Sequence, residues 1–104
     1  ILISSALSGG TFQERLQEAE RSAPGRCWLL LEPMKTAFPL PCPSGVGMAF
    51  EQYPKGAVFY SEALCCYYAH TPDTIYLWDT EETLRKKAEL AKAAGFCGYV
   101  QKTP

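Results

Sequence analysis

The chain has 104 residues, a formal net charge of −1, and 47% hydrophobic residues. This length fits one globular domain and is too short for a complete (β/α)₈ barrel, which needs about 200 residues or more. The 10 basic and 11 acidic residues argue against a nucleic-acid-binding surface, and the lack of an apolar run of about 18 residues argues against a membrane span.

The first third of the chain has the pattern of a β-α-β unit. Residues 1–7 begin with an apolar, β-branched run that predicts a short buried strand. We expect a helix from Thr11 to Ala23, because Thr11 and Glu14 have capping-box spacing and Pro24-Gly25 ends the apolar periodicity. The continuous apolar run 27–31 predicts a strand that is buried on both faces.

Residues 33–56 predict an irregular insertion. Five prolines and three glycines interrupt this stretch, and no periodic hydrophobic pattern crosses it. Because the chain opens on Ile1 inside an apolar run, we further expect that residues 1–104 are a single domain cut from a longer protein.

The second half predicts strands followed by a helix and a closing strand. Residues 57–60 form one strand candidate, and residues 67–71 and 74–79 flank Pro72-Asp73, which has turn chemistry. Asp79 and Glu82 resemble the start of a helix that continues to residue 94, with Gly95 at its C-cap. Residues 96–100 complete a β-α-β ending.

The five cysteines predict free thiols. An odd number cannot pair fully within one chain, and the adjacent Cys65-Cys66 is a poor disulfide framework. Buried free thiols indicate a reducing compartment, which suggests a cytoplasmic location. With His70 as the single histidine and no C-x-x-C spacing, the sequence predicts neither a metal site nor a cofactor.

The order of elements leaves two folds open. One is an α/β arrangement in which a β-α-β unit, the 33–56 insertion and a β-α-β ending form part of a (β/α) barrel. The alternative is an α+β ferredoxin-like sandwich. Strand direction distinguishes them. In the first fold, residues 96–100 run parallel with residues 27–31, and so do residues 75–78 unless they form an excursion, whereas the second fold has one four-stranded antiparallel sheet.

Residues 75–100 resemble the last strand-helix-strand of glycoside hydrolase family 18 barrels, which include chitinases and spore-cortex glycosidases. The aromatic-acidic segment 76–79 leads into a helix containing Thr83-Leu84 and Lys87, and Gly95–Val100 is similar to the closing strand. The resemblance covers about a quarter of the chain and implies a carbohydrate-binding role. The acidic catalytic motif of the family is absent from these residues, and Lys102 stands where active members carry a tryptophan. No catalytic residue is therefore assigned, and enzyme activity is left open.

Four residues are candidates for contacting an oligosaccharide: Glu32, Tyr68, Asp79 and Lys102. Glu32 and Asp79 each follow an apolar strand, and parallel strands would bring them to the carboxyl edge, where α/β proteins place their sites. Asp79 has a second interpretation as the helix N-cap. Neighbouring strand residues point to opposite faces, so one of Tyr67 and Tyr68 is expected to be accessible while most strand aromatics pack internally.

Three functions follow from these observations. The first is a glycosidase-like, carbohydrate-binding α/β domain. The second is a small ferredoxin-like module for binding or oligomerisation, and the third is a thiol redox protein that uses Cys65-Cys66. The oligomeric state is not predicted by any sequence pattern.

Overall fold

The protein has a mixed α/β fold built from two sheets and two helices. The computed structural model describes residues 1–6, 10–41 and 46–101. Within these ranges the elements, in chain order, are β1 (Leu2–Ser4), α1 (Phe12–Ser22), β2 (Trp28–Leu31), β3 (Lys35–Pro39), β4 (Met48–Ala49), β5 (Phe59–Ser61), β6 (Cys66–Thr71), β7 (Thr74–Trp78), α2 (Glu81–Ala94) and β8 (Gly98–Gln101).

The first sheet is parallel and carries both helices on one face. Its strand order is β1-β2-β8, and each neighbouring pair runs parallel. Leu29 and Leu31 of β2 are buried against the helices, where they join Phe12 and Leu16 of α1 and Ala91 of α2 in the main apolar cluster. This packing uses the apolar stripe of each amphipathic helix.

The second sheet is antiparallel and lies in the chain between β2 and α2. Its order is β4-β3-β7-β6-β5. The described strands therefore form one parallel and one antiparallel sheet, and β2 and β8 run parallel. Strands β7 and β8, which flank α2, belong to different sheets, so the predicted β-α-β ending is not a unit of one sheet.

The stretch 33–56 is not wholly irregular, which corrects the sequence-based prediction. Lys35–Pro39 pairs with β7 along its whole length, and Met48–Ala49 adds a short strand beside it. Hydrogen bonding to β7 makes residues 35–39 a strand, although the proline-rich composition of this stretch does not predict one. Pro39 is the last residue of its strand, where a missing backbone donor disrupts the ladder least.

Several local predictions are confirmed. The Thr11 side chain caps α1 by accepting a hydrogen bond from the Glu14 backbone N–H (3.1 Å), and Gly95 ends α2 with φ 108°. Strands β6 and β7 flank the predicted Pro72-Asp73 turn and pair with each other as an antiparallel hairpin. Strand β5 begins two residues later than expected, at Phe59, and residues 62–65 form a turn in which Cys65 adopts φ 53°.

The cysteines among the described residues are free. Cys27, Cys65 and Cys66 are buried and Cys97 is exposed, whereas Cys42 lies outside the described residues. This distribution confirms the prediction of free and mostly buried thiols.

Candidate functional site

A cleft of about 930 Å³ lies between one face of the antiparallel sheet and the carboxyl ends of β1 and β2. Ala6 and Glu32, which follow those two parallel strands, form one side of it. Among the described residues, the lining consists of Ala6, Glu32, Pro33, Met34, Lys35, Thr36, Phe38, Ala49, Ser61, Leu64, Tyr68, Ile75, Leu77 and Lys87. The cleft is therefore mostly apolar, with a few polar and charged groups.

Strand register explains which residues of the antiparallel sheet line the cleft. Thr36 lies opposite Leu77, and Leu77 lies opposite Tyr68, so these three side chains project to the same face. Phe38 and Ile75 are opposite each other two positions further along, and they line the same face. Tyr68 also stacks on Phe59, with ring centroids 5.4 Å apart.

The opposite face of this sheet is covered by an aromatic cluster. Phe50 and Tyr53 fold over it and make edge-to-face contacts with Trp78 at centroid distances of 6.2 and 5.3 Å. Tyr67 stacks on Trp78 at 6.5 Å, and the Lys35 ammonium lies 4.7 Å from the Tyr53 ring centroid. Tyr67 thus packs in the aromatic cluster and its neighbour Tyr68 lines the cleft. Both are half-buried, and they project to opposite faces as expected for a strand.

A buried ion pair lies beside the cleft. The Lys87 ammonium is 2.8 Å from one Asp79 carboxylate oxygen and 3.0 Å from the other, and both side chains are at most 1% exposed. Lys87 also donates to the backbone carbonyl of Ser5 at 3.3 Å, and its ammonium lies 5.4 Å from the centre of the Phe12 ring. The pair therefore joins α2 to the end of β7 and to the segment after β1.

Asp79 has two further hydrogen-bond donors. Its carboxylate accepts from the Met34 backbone N–H at 2.9 Å and from the Thr83 hydroxyl at 2.9 Å. A carboxylate with several donors and a cationic partner satisfies the requirements of a buried charge. Its role is to hold β7, α2 and the segment before β3 together.

The prediction that Asp79 caps α2 is wrong. The N-cap is Thr80, whose hydroxyl accepts from the Thr83 backbone N–H at 3.2 Å, while the Thr83 hydroxyl accepts from the Thr80 N–H at 2.8 Å. Threonine therefore occupies both ends of the capping box in place of Asp79 and Glu82. Asp79 is left free of the capping role and turns to Lys87.

Glu32 and Tyr68 both line the cleft, although they are far apart in the chain. Next to Glu32, the buried Ser5 hydroxyl accepts from the Glu32 backbone N–H at 2.7 Å and donates to its carbonyl at 3.1 Å. These two bonds fix the ends of β1 and β2 relative to each other. Asp79 does not line the cleft but binds Lys87, which does, and Lys102 lies outside the described residues.

Lys87 is the site residue that sequence reasoning missed. It lies on the buried stripe of α2 formed with Thr83, Leu84 and Ala91. The sequence does carry a signal for this buried ion pair. A lysine lies at helical spacing within an apolar stripe, and an aspartate lies just before the helix.

The structure weakens the hypothesis of redox chemistry at Cys65-Cys66. Burial, the largest cause, raises the pKa of the Cys66 thiol to about 11. Since the thiolate is the reactive form, the raised pKa disfavours reaction of Cys66 at neutral pH. Among residues 1–6, 10–41 and 46–101, no cluster of histidine, cysteine and acidic side chains has the arrangement needed to hold a metal ion.

Comparison with known proteins assigns no family to the chain. No protein-family model matches it, and neither curated proteins nor solved structures show significant similarity to it. No helix in the described part of the chain has both the length and the apolar character required to cross a bilayer.

Proposed function

We propose that this protein is a glycosidase-like α/β domain whose cleft binds an oligosaccharide. The observation that carries the proposal is the meeting of Glu32 and Tyr68 in one cleft at the carboxyl ends of parallel strands. These are two of the residues selected as sugar contacts from the sequence. The proposal concerns binding and assigns no catalytic acid.

The arrangement of the parallel sheet supports the likeness to a barrel segment. Strands β1, β2 and β8 are neighbours in the order in which they occur in the chain, and α1 packs beside α2 on one face. Barrels have this order, with helices outside and sites formed beyond the carboxyl ends of the strands. The antiparallel sheet follows β2 in the chain and forms a wall of the cleft at the carboxyl ends of β1 and β2.

The chemistry of the cleft suits a sugar. A pyranose ring has apolar faces that pack on aliphatic and aromatic side chains, and hydroxyl groups that need hydrogen-bond partners at its rim. Ile75 and Leu77 supply apolar surface, and the Tyr68 ring adds an aromatic surface. Glu32 supplies a carboxylate at the edge, where a charged acceptor binds hydroxyl groups more strongly than a neutral one.

The proposal is tested by titration of ¹⁵N-labelled protein with chito-oligosaccharides and with peptidoglycan fragments. Amide resonances of Thr36, Tyr68 and Leu77 are expected to shift, because these residues share the cleft face. Nuclear magnetic resonance is preferred to tryptophan fluorescence because Trp78 lies on the opposite face of the sheet. Unchanged cleft resonances at millimolar concentrations of both ligand classes would refute oligosaccharide binding.

Variants locate the binding. Tyr68→Ala is expected to weaken binding about tenfold, since aromatic contacts contribute about 0.5–1.5 kcal/mol beyond the area buried. Glu32→Gln removes the charge while preserving shape and is expected to weaken binding as well. Tyr99→Ala is the matched control, because Tyr99 is an exposed tyrosine on β8 outside the cleft. An equal effect of Tyr68→Ala and Tyr99→Ala would place the binding elsewhere.

Self-association is a second candidate function. On the face of the parallel sheet opposite the helices, Leu2 and Trp28 are paired in register and are 57% and 42% exposed, and Val100 is 45% exposed. Parallel sheets normally have both faces covered. Sedimentation over a range of concentrations tests this function. The parent protein is expected to associate, and Val100→Lys is expected to remain monomeric. A parent protein that stays monomeric, or association that Val100→Lys does not weaken, would exclude association through this face.

A further inference from the structure

Two cysteines lie directly before neighbouring strands of the parallel sheet. The paired residues Trp28 and Gly98 begin β2 and β8, and Cys27 and Cys97 immediately precede them. The Cys97 backbone N–H donates to the Cys27 carbonyl at 2.9 Å. Neighbouring strands lie about 4.8 Å apart, and disulfides require Cα separations of about 4.4–6.8 Å. The backbone spacing therefore suits a disulfide.

The two thiols contact neighbouring parts of the chain, the end of α1 and the connection after it. The Cys27 thiol is 3.4 Å from the carbonyl oxygen of Ala19 and 3.6 Å from that of Ala23. The Cys97 thiol donates to the carbonyl oxygen of Gly25 at 3.1 Å.

The two thiols differ in access to solvent. Cys97 is exposed, whereas Cys27 is completely buried. Burial, followed by the charge of Glu20, raises the pKa of the Cys27 thiol. An oxidant from solution therefore meets Cys97 first, and Cys27 is placed to act second.

We propose that Cys27 and Cys97 are a thiol oxidation site at which a small-molecule disulfide, such as glutathione disulfide, produces an intramolecular disulfide between β2 and β8. This inference is independent of the carbohydrate cleft, which lies at the other end of the parallel strands.

The reaction proceeds through two thiol–disulfide exchanges. The Cys97 thiol loses its proton to solvent, and its sulfur attacks one sulfur of the external disulfide. The external S–S bond breaks, a mixed disulfide forms on Cys97, and the departing thiolate takes up a proton. Cys27 then loses its proton and attacks the Cys97 sulfur, which releases the second external thiol. Two protein thiols are oxidised, and one external disulfide is reduced to two thiols.

The second exchange is the slower one. Cys27 is completely buried and its thiol contacts the carbonyl oxygens of Ala19 and Ala23. Mixed disulfide on Cys97 is therefore expected to accumulate before the intramolecular bond forms.

The test uses the whole chain with Cys42 replaced by serine, since that cysteine would otherwise compete. The protein is incubated with excess glutathione disulfide, remaining thiols are blocked with a maleimide, and tryptic peptides are mapped without reduction. Trypsin places Cys27 in peptide 27–35, Cys97 in peptide 93–102, and Cys65 and Cys66 together in peptide 56–85. The expected product is peptide 27–35 linked to peptide 93–102, with a loss of about 2 Da from the intact protein.

Variants separate the two exchanges. Cys97→Ala, at an exposed position, is expected to leave Cys27 reduced, whereas Cys27→Ser is expected to trap glutathione on Cys97. The oxidised protein should also unfold at a higher urea concentration than the reduced protein, because the bond closes a long loop. A stable glutathione adduct with no linked peptides, or a link from Cys97 to peptide 56–85, would overturn the proposal.

Discussion

Removal of one member of the Asp79–Lys87 pair is expected to destabilise the protein strongly. A single substitution that leaves its buried partner uncompensated costs about 3–5 kcal/mol. After Lys87→Met, Asp79 keeps its hydrogen bonds from the Met34 N–H and the Thr83 hydroxyl, so we expect the lower end of that range. After Asp79→Asn, the Lys87 ammonium loses its carboxylate and keeps a 3.3 Å bond to the Ser5 carbonyl, so we expect the upper end.

The double variant tests whether these costs arise from the interaction itself. With both charges removed, no buried charge is left uncompensated, and such replacements are often nearly neutral. We therefore expect Asp79→Asn combined with Lys87→Met to cost less than either single variant, so that the coupling free energy exceeds about 3 kcal/mol. Urea denaturation of all four proteins, monitored by circular dichroism, gives the coupling free energy. Additive effects within about 0.5 kcal/mol would refute the reasoning.

Three further predictions concern single features of the fold. Thr80→Ala removes the N-cap hydroxyl of α2 and is expected to lower the free energy of unfolding by about 0.5–2 kcal/mol in urea denaturation, and no change would exclude the cap as a stabilising contact. Gly98→Ala places a Cβ 2.9 Å from the Trp28 ring, so we expect Trp28 to move and its fluorescence maximum to shift, whereas an unchanged spectrum would contradict that contact. Because burial raises the pKa of Cys66 from 9.0 to about 11, the folded state favours the protonated thiol. The stabilisation of the folded state by this raised pKa is complete below pH 9 and is lost as the pH rises to about 11. Cys66→Ala is therefore expected to reduce the fall in the free energy of unfolding over this pH range. A pH–stability profile identical to that of the parent protein would contradict this assignment.

Local structure was largely predictable from the sequence. The capping threonine of α1, the glycine that ends α2 and the Pro72-Asp73 turn are each determined by residues within a few positions of one another. Such signals act through nearby backbone groups and need no tertiary partner. The prediction of free, mostly buried cysteines likewise followed from their number and spacing.

Pairing between distant segments was less predictable. Residues 35–39 have no strong strand pattern and are interrupted by prolines nearby, yet they pair with β7 because the β6–β7 hairpin offers an open edge. The same holds for the start of α2. Thr80 is the N-cap there, and Asp79 forms an ion pair with Lys87. In both cases a partner more than five residues away outweighed the local preference.

The sequence by itself thus determined the two helices, the N-cap of α1, the C-cap of α2, the turn between β6 and β7, and the free thiols. Only the tertiary structure decided that Glu32 and Tyr68 share a cleft, that Lys87 is buried against Asp79, and that Cys27 lies beside Cys97. The physical reason is the distance along the chain between the groups that interact. Caps and turns arise from short-range backbone chemistry, whereas burial and strand register depend on which distant surfaces meet.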